Sequence, residues 1–233
     1  HDDTYDTPPH ESYLFDSYTP LVNGRRATLI GGYQRMQNDR SYGCCAANGG
    51  YGLGLMGQFA CIQREKGFDV NFYSPFSLKT TYNERPIAIH LKANLFQSGK
   101  VSLRVHGNGS SFALRLLSPT WGKARISVNG EEVLPLEEKG YLVLERVWND
   151  DQIRILFSRP VKVHGCGDKI AFTKGPIVLA ADSRLEEVTS PFAKTTAAKV
   201  VKNNAFPNQL TVEFPDGKKL VDFADSGKNM DDP

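Results

Sequence analysis

The sequence has 233 residues, and its 40% hydrophobic and 23% charged residues are typical of a folded chain and exclude wholesale disorder. Its 28 basic and 26 acidic residues are scattered and leave a net charge of +2, which excludes a basic stripe for nucleic acid or an anionic membrane. The longest nearly uncharged stretch, residues 41–63, is rich in glycine and holds too little apolar mass for a bilayer span. We therefore expect neither nucleic acid nor a membrane as a partner.

The first 58 residues are irregular apart from one predicted helix. The chain begins at His1 without a methionine or an apolar leader, so we expect it to be either processed or a piece of a longer protein. Residues 46–60 favour a helix, although five glycines, each costing close to 1 kcal/mol relative to alanine, would prevent it from forming alone. Gly50, Gly54 and Gly57 fall on one helical face. We predict that this bare face packs against another backbone.

From about Phe59 onward the pattern is typical of short β-strands. Residues 86–95 place apolar side chains at every second position, which predicts a half-buried strand. Lys66-Gly67 and Asn129-Gly130 indicate hairpins, the second with a type I′ turn. Similar alternation, at the spacing of a sandwich, occurs in Val101–Val105, Phe112–Leu116, Ile126–Val128, Leu142–Leu144 and Ile153–Phe157.

A second group of strands follows the Gly165-Cys166-Gly167 break. Its predicted members are Ile177–Ala181, Lys199–Lys202, Gln209–Phe214 and Leu220–Phe223. The predicted fold class is mainly β, with two β-sandwich-like units preceded by a short helical and loop segment. The predicted domains are 1–58, 59–164 and 165–233.

The sequence Gly43-Cys44-Cys45-Ala46-Ala47-Asn48 stands at the start of the predicted helix. The dipole and free N–H groups of a helix N-terminus stabilise thiolates, which lowers their pKa and favours nucleophilic attack or metal binding. Zinc needs four ligands, or three and a water, so the pair supplies at most half a site. Cys61 and Cys166 are candidate partners, without a recognised spacing. The alternative is that the cysteines are small buried packing residues.

Other candidate groups have ordinary structural explanations as well. Three histidines in or beside strands, expected to be hydrogen-bonded or exposed to solvent, are His90, His106 and His164. Three acids that precede the cysteines, and that either serve glycoside chemistry or are simply solvated, are Glu11, Asp16 and Asp39. Three aromatic residues that form either a sugar-stacking platform or part of a sandwich core are Trp121, Tyr141 and Trp148.

Cys44-Cys45-Ala46-Ala47-Asn48 resembles the paired-cysteine motif of the β-L-arabinofuranosidase family of glycoside hydrolases. Later segments resemble that family's β-sandwich signature in the same order. These segments are Phe112-Ala113-Leu114-Arg115 through Pro119-Thr120-Trp121, Val128-Asn129-Gly130-Glu131, Gly140-Tyr141, residues 146–151, residues 174–179 and residues 221–227. Two positions depart from the pattern, since Tyr51 stands where the family often has arginine and Asp150 where it has glycine.

The resemblance implies a role for this chain as the C-terminal part of a longer enzyme. In that family an (α/α)6 barrel supplies most of the active site and β-sandwich domains follow, so residues 1–58 would end the barrel. Cys44 matches the family's nucleophile. Cys44 and Cys45 match two zinc ligands, whose partners, a Glu and a third Cys of an E-x-C motif, lie upstream, as does the acid/base Glu. Zinc is therefore the cofactor expected in the full-length parent.

The resemblance also implies partners. These are an arabinose-containing oligosaccharide or glycan and the missing N-terminal barrel domain. Apart from the resemblance, a homodimer is a further candidate assembly. A competing class is a noncatalytic β-sandwich module that binds carbohydrate or braces a partner domain. A redox switch is less favoured, because adjacent cysteines close a strained ring. Four cysteines without a disulfide framework favour a cytoplasmic location.

Overall fold

A computed structural model of the chain describes residues 35–36, 40–41, 44–167, 169–182, 185, 192–204 and 210–223. For residues 35–36, 40–41, 44–50, 166 and 169 it describes the backbone alone. The chain divides into two compact units, one of residues 54–160 and one of the residues on either side of that stretch.

The first described elements lead into a helix. Two short strands, β1 (Arg35–Met36) and β2 (Arg40–Ser41), pair antiparallel. They are followed by α1 (Cys44–Phe59), which confirms the predicted helix and begins slightly before the predicted start at residue 46. Among the described residues, no helix has both the length and the apolar content needed to cross a membrane.

A nine-stranded sheet forms the unit of residues 54–160. Its strands are β3 (Cys61–Arg64), β4 (Gly67–Val70), β5 (Phe76–Tyr82), β6 (Arg85–Asn94), β7 (Lys100–Leu117), β8 (Ala124–Val128), β9 (Glu131–Val133), β10 (Leu136–Glu138) and β11 (Tyr141–Phe157), with the short helix α2 (Leu95–Ser98) between β6 and β7. The order is β3-β4-β7-β11-β8-β9, and β6 joins β7, β5 joins β6 and β10 joins β11. β4 is parallel to β7, and every other pairing in this sheet is antiparallel.

Both predicted hairpins are confirmed. β3 and β4 pair around Lys66, although Gly67 already belongs to β4. β8 and β9 are joined by Asn129 and Gly130, with φ of 53° and 93°. Positive φ at both central residues is the geometry of a type I′ turn, whose twist matches that of the strands.

The long strands β7 and β11 change face at a bulge. On β7 the buried side chains include Val101 and Val105 before the bulge, and Phe112 and Leu116 after it. On β11, Trp148 and Asp150 are separated by one residue. Their partners on β7, Ser110 and His106, are separated by three residues, 107–109. Because side chains alternate strictly along a strand, this unequal spacing changes which positions of β7 face the core.

Both halves of the long strands contribute to one core, in agreement with the predicted sandwich-like unit. Trp148 is fully buried in this core, and its Nε1 donates a hydrogen bond of 2.9 Å to the Phe112 carbonyl. A Cβ at Gly107 would approach the Trp148 Cβ to 2.4 Å, so only glycine fits beside it. The largest fully buried side chains are Trp148, Phe68, Phe157, Ile89, Leu91, Leu103, Leu114, Leu116, Ile126, Ile153, Ile155 and Val70.

A second sheet, of six antiparallel strands, has its own core. Its strands are β12 (Val161–Cys166), β13 (Lys169–Lys174), β14 (Ile177–Ala180), β15 (Lys199–Val201), β16 (Thr211–Glu213) and β17 (Lys219–Asp222), in the order β12-β13-β14-β17-β16-β15. Its buried side chains are Val161, Phe172, Ile177, Leu179, Val212, Phe214 and Leu220. The fold class is therefore mainly β, as predicted.

The start of the second sheet bears on the predicted domain boundary. Gly165 and Cys166 lie within β12, and Gly167 lies in the turn to β13. The second sheet thus begins at Val161, four residues before the predicted start of the last domain at residue 165. The division into domains 1–58, 59–164 and 165–233 stays a prediction.

Candidate functional site

The cysteine pair lies at the start of α1, as predicted. Cys44 and Cys45 are the first two residues of this helix of 16 residues. The first N–H groups of a helix have no partner within it, and the macrodipole adds positive potential there. No acidic residue in the first turn offsets this potential. The side chains of both cysteines lie outside the described residues, so their roles as nucleophile and zinc ligands stay predictions.

The described part of α1 is largely uncovered. Tyr51 is 69% exposed and Leu53 is 62% exposed. A Cβ built at Gly52, Gly54 or Gly57 meets no atom within 4 Å. Gly54 and Gly57 belong to the predicted glycine face, and no atom lies within 4 Å of a Cβ at either position, so the packing of this face against another backbone stays a prediction.

The C-terminal end of α1, in contrast, is held by one residue. The Asn71 side-chain Nδ2 donates a hydrogen bond of 2.9 Å to the Phe59 carbonyl, and the Asn71 backbone N–H donates one of 2.9 Å to the Ala60 carbonyl. The last carbonyls of a helix have no partner within it and need an outside donor. Asn71 thus supplies two donors where the helix ends.

Asn71 is itself fixed by a chain of side chains from the first sheet. The Tyr141 hydroxyl donates a hydrogen bond of 2.6 Å to Asn71 Oδ1. The Arg115 guanidinium lies 4.8 Å from the centre of the Tyr141 ring, a cation–π distance. Arg115 Nε and Arg64 Nε each lie 3.0 Å from a carboxylate oxygen of Asp69, whose side chain is only 7% exposed. We call Asn71, Tyr141, Arg115, Asp69 and Arg64 the helix-end network.

Sequence reasoning missed most of this network. The sequence singles out Tyr141 only within the Gly140-Tyr141 segment and as an aromatic candidate. No local pattern distinguishes Asn71, since its partner Tyr141 lies 70 residues further along the chain. A buried acid between two arginines is likewise visible only once the strands are paired.

Cys61, one of the two other candidate thiols, is less suited to ligate a metal. Cys61 lies on β3 directly after α1, and burial, aided by the nearby Asp69 carboxylate, raises the pKa of its thiol to about 12. A thiol with this pKa is neutral at pH 7, whereas metals bind the thiolate. The Cys166 side chain lies outside the described residues. Within the described ranges, no three His, Cys, Asp or Glu side chains come together to hold a metal ion.

The histidines have the structural roles expected of them. His90 Nδ1 lies 2.9 Å from Ser77 Oγ, and His164 Nε2 lies 2.9 Å from Thr173 Oγ1. His106 Nδ1 lies 3.0 Å from Asp150 Oδ1. These contacts join neighbouring strands on exposed sheet faces.

Asp150, which stands where the family has glycine, is held mainly by an arginine. Arg104 Nε and Nη2 donate to its two oxygens over 2.8 and 2.5 Å. These hydrogen bonds, together with the Arg104 and His106 charges, hold the pKa of the Asp150 carboxyl below its usual range. More than half of the Asp150 side chain is exposed, so it forms a surface ion pair.

The aromatic candidates do not form a stacking platform. Trp148 is buried, Trp121 packs edge-on against Phe157 with ring centres 5.5 Å apart, and the Tyr141 hydroxyl is bonded within the helix-end network. The sandwich-core explanation of Trp148 and Trp121 is the one that the structure supports. The acids Glu11, Asp16 and Asp39 lie outside the described residues.

Comparison with known proteins gives the class of this β domain. Residues 67–158 match the family model described as "Beta-L-arabinofuranosidase, GH127 middle domain". This stretch covers most of the nine-stranded sheet, including both long strands. No curated protein sequence matches the chain.

Solved structures with a similar fold are glycoside hydrolases. A GH127 β-L-arabinofuranosidase from Geobacillus stearothermophilus T6 matches with a TM-score of 0.65 and 21% identity, over 81% of this chain and 36% of that one. A second GH127 β-arabinofuranosidase matches with a TM-score of 0.64 and 16% identity, over 81% and 37%. A structure described as a glycoside hydrolase matches with a TM-score of 0.63 and 16% identity, over 89% and 42%.

These likenesses show the fold, and the chain spans well under half the length of each of these three proteins. The nine-stranded sheet thus has the fold of a β domain of these glycoside hydrolases. The resemblance to the β-L-arabinofuranosidase family GH127 is confirmed for residues 67–158, which match that family's middle domain.

Proposed function

We propose that this chain is the C-terminal part of a retaining glycoside hydrolase that acts on arabinofuranosides, with Cys44 as the nucleophile. The observation that carries this proposal is the start of α1 at Cys44, in a chain whose β domain matches the GH127 middle domain. A thiol there is favoured as the thiolate by the helix dipole and the free N–H groups. The thiolate is the nucleophilic form of cysteine.

The open face of α1 supports the view that further protein belongs beside it. Tyr51 and Leu53 are large apolar side chains that are mostly exposed, one on each side of the glycine face of Gly54 and Gly57, which favours a covering element there. A glycine face that meets no atom leaves room for the close approach of another backbone. We propose that the barrel expected upstream covers this face and completes the active site.

The two cysteines are the kind of ligand that zinc prefers, but they are fewer than a zinc site needs. Thiolates are preferred zinc ligands, and Cys44 and Cys45 would supply two of the four that a closed site needs. A Glu and a Cys of the proposed barrel would supply the others. Bound zinc would keep the Cys44 thiol deprotonated at neutral pH.

In the proposed mechanism Cys44 Sγ attacks the anomeric carbon of the terminal arabinofuranoside. A carbon–sulfur bond forms while the bond to the leaving oxygen breaks, and that oxygen takes a proton from an upstream Glu. Water then attacks the same carbon, the carbon–sulfur bond breaks, and the water's proton passes to the Glu. Two inversions at one carbon retain the configuration.

The substrate proposed is an arabinose-containing oligosaccharide or glycan. The described sheets supply no exposed aromatic platform for sugar from Trp121 or Trp148, so we place substrate binding in the upstream domain. The competing role, a module that braces a partner domain, is favoured by the same open face of α1 and by the self-contained core of the sheet. The two roles differ in whether Cys44 is needed for turnover.

Turnover on an aryl arabinofuranoside, with zinc measured in the same samples, separates these roles. We expect the full-length parent to be active, this chain alone to be inactive, and Cys44→Ser to abolish turnover by the parent. Cys45→Ser should first lower the zinc content, since one ligand is lost while the nucleophile remains. Cys61→Ser is the matched control, because its neutral thiol should be replaceable without loss of activity.

The outcome that contradicts the proposal is full activity of the Cys44→Ser parent, or activity of this chain alone. Either result would leave the bracing module as the better interpretation. Loss of activity only in Cys61→Ser would equally reject Cys44 as the nucleophile.

A further inference from the structure

We propose that one face of the nine-stranded sheet binds a glycan that carries carboxylate groups. The face is formed by outward positions of β6, of β7 before its bulge, of β11 after its bulge, and of β8. Its five cations, which together we call the basic face, are Lys92, Lys100, Arg104, Arg125 and Arg154. The choice of an anion follows from these charges, and the choice of a glycan rests on the proposed function.

The alternation of side chains places all five cations on the side of the sheet opposite to its core. Each of the five is exposed. Each also has a buried apolar neighbour on its own strand, such as Leu103 beside Arg104 and Ile153 beside Arg154. Because successive side chains of a strand point to opposite faces, burial of these neighbours directs the cations to solvent.

The register of the strands makes the five cations neighbours. Ser102 of β7 lies opposite both Lys92 of β6 and Arg154 of β11. Ser127 of β8 lies opposite Arg154 as well. The other three cations, each two residues from one of these serines, are Lys100, Arg104 and Arg125. Diagonal neighbours on paired strands lie about 7–8 Å apart, so charges that are scattered in the sequence come together here.

Few acids balance this charge. The acids at outward positions of these strands and of the adjoining β9 are Asp150 and Glu132. Arg104 donates to both oxygens of Asp150. In the part of the chain that the structure describes, no ion pair is formed by Lys92, Lys100 or Arg125. Like charges on neighbouring strands repel, so an anion on this face would relieve a repulsion that the fold itself leaves in place.

The side chains between the cations favour a carboxylated glycan over other polyanions. The hydroxyls of Ser102 and Ser127 are donors and acceptors of the kind that sugar hydroxyls need. Arg104 already holds a carboxylate with two nitrogens. The outward positions carry no Phe, Tyr or Trp on which a nucleic-acid base could stack. Their largest apolar side chain, Leu156, is only 36% exposed, which is too little to enter a bilayer.

The test measures the binding of polygalacturonate to this chain by isothermal titration calorimetry. The matched ligand is the methyl ester of the same polymer, whose carboxylates are neutral. We expect the acid form to bind and the ester not to bind. Affinity for the acid form should fall about tenfold between about 50 and 200 mM salt, because contacts between exposed charges are screened. Equal affinity for the two forms would overturn the proposal.

Two double variants remove the same net charge from different places. Lys92→Gln/Arg154→Gln changes the basic face. Lys66→Gln/Lys139→Gln changes two exposed lysines in turns of the same unit. We expect the first to weaken polygalacturonate binding about tenfold and the second to leave it as in the wild type. Equal losses in the two variants would show that net charge alone matters and would overturn the assignment to this face.

Two further ligands test the chemical class. Duplex DNA and phosphatidylserine vesicles, at the same salt concentration, should bind more weakly than polygalacturonate, and tighter binding of either would overturn the glycan as the partner. Binding needs no turnover, so Cys44→Ser should bind polygalacturonate like the wild type. The proposed function thus fails if the Cys44→Ser parent stays active, whereas the role of the basic face fails on the binding measurements.

Discussion

The nine-stranded sheet and helix α1 differ in how far their apolar side chains are buried. In the sheet, large residues such as Trp148 and Phe68 are fully buried against one another. On α1, Tyr51 and Leu53 are mostly exposed and the glycines border open space. The sheet therefore buries its large apolar side chains within its own core, whereas the described part of α1 leaves apolar side chains exposed.

The largest expected effect is on the sheet core. Trp148→Ala removes a fully buried side chain and its hydrogen bond to Phe112, and should lower the free energy of unfolding by about 3 to 5 kcal/mol. Leu53→Ala, the matched change on α1, should alter it by less than about 0.5 kcal/mol. Urea unfolding of both variants measures this, and equal losses would contradict the contrast.

Glycine substitutions should have opposite signs in the two regions, and the sheet position has the larger effect. Gly67 has φ of 148°, and an added Cβ would lie 1.9 Å from the Ala113 carbonyl oxygen of β7. Gly67→Ala should cost about 2 to 3 kcal/mol of unfolding free energy, since β4 must move away from β7. A loss below about 0.5 kcal/mol in urea unfolding would show that the close approach is not required.

Gly54→Ala should instead stabilise α1, by up to about 1 kcal/mol, because nothing lies within 4 Å of the new methyl group. Slower amide exchange in residues 51–59 of this chain measures the gain. In the full-length parent the same methyl group should lower activity if the proposed barrel packs on that face. Faster exchange in the isolated chain would show that Gly54 already has a neighbour there.

The smallest effect concerns the Cys61 thiol, which lies on β3 directly after α1. Burial raises the pKa of Cys61 to about 12 in the folded chain, so its neutral form contributes stability that is fully present below about pH 9 and is lost as the pH rises toward 12. Peptide-mapped alkylation should therefore find Cys61 unreactive at pH 8 while Cys44 and Cys45 react. Alkylation of Cys61 as fast as the pair would contradict this order.

The sequence predicted what depends on local pattern. Period-two alternation located the strands, and Asn129-Gly130 fixed a hairpin whose φ values are those expected. The alternation also misled, since it predicted Val101–Val105 and Phe112–Leu116 as separate strands. They form one strand, β7, because the bulge at residues 107–109 reverses which positions are buried.

The same limit applies to the candidate site. The position of Cys44 at a helix start followed from neighbouring residues, so it was predicted correctly. The bonds of Asn71 to Phe59 and to Tyr141 depend on how distant strands meet, and no local pattern encodes them. The glycine face is visible in the sequence as a bare surface, but what covers it depends on distant residues that no local pattern identifies.

The measurement that tests the contrast most directly is amide hydrogen exchange of residues 51–59, compared between this chain and the full-length parent. The account predicts that α1 exchanges at least about a hundredfold more slowly in the parent, where a neighbour covers its open face, while β7 and β11 exchange equally in both. Equal exchange of α1 in the two proteins would contradict the proposal that the barrel expected upstream covers this helix.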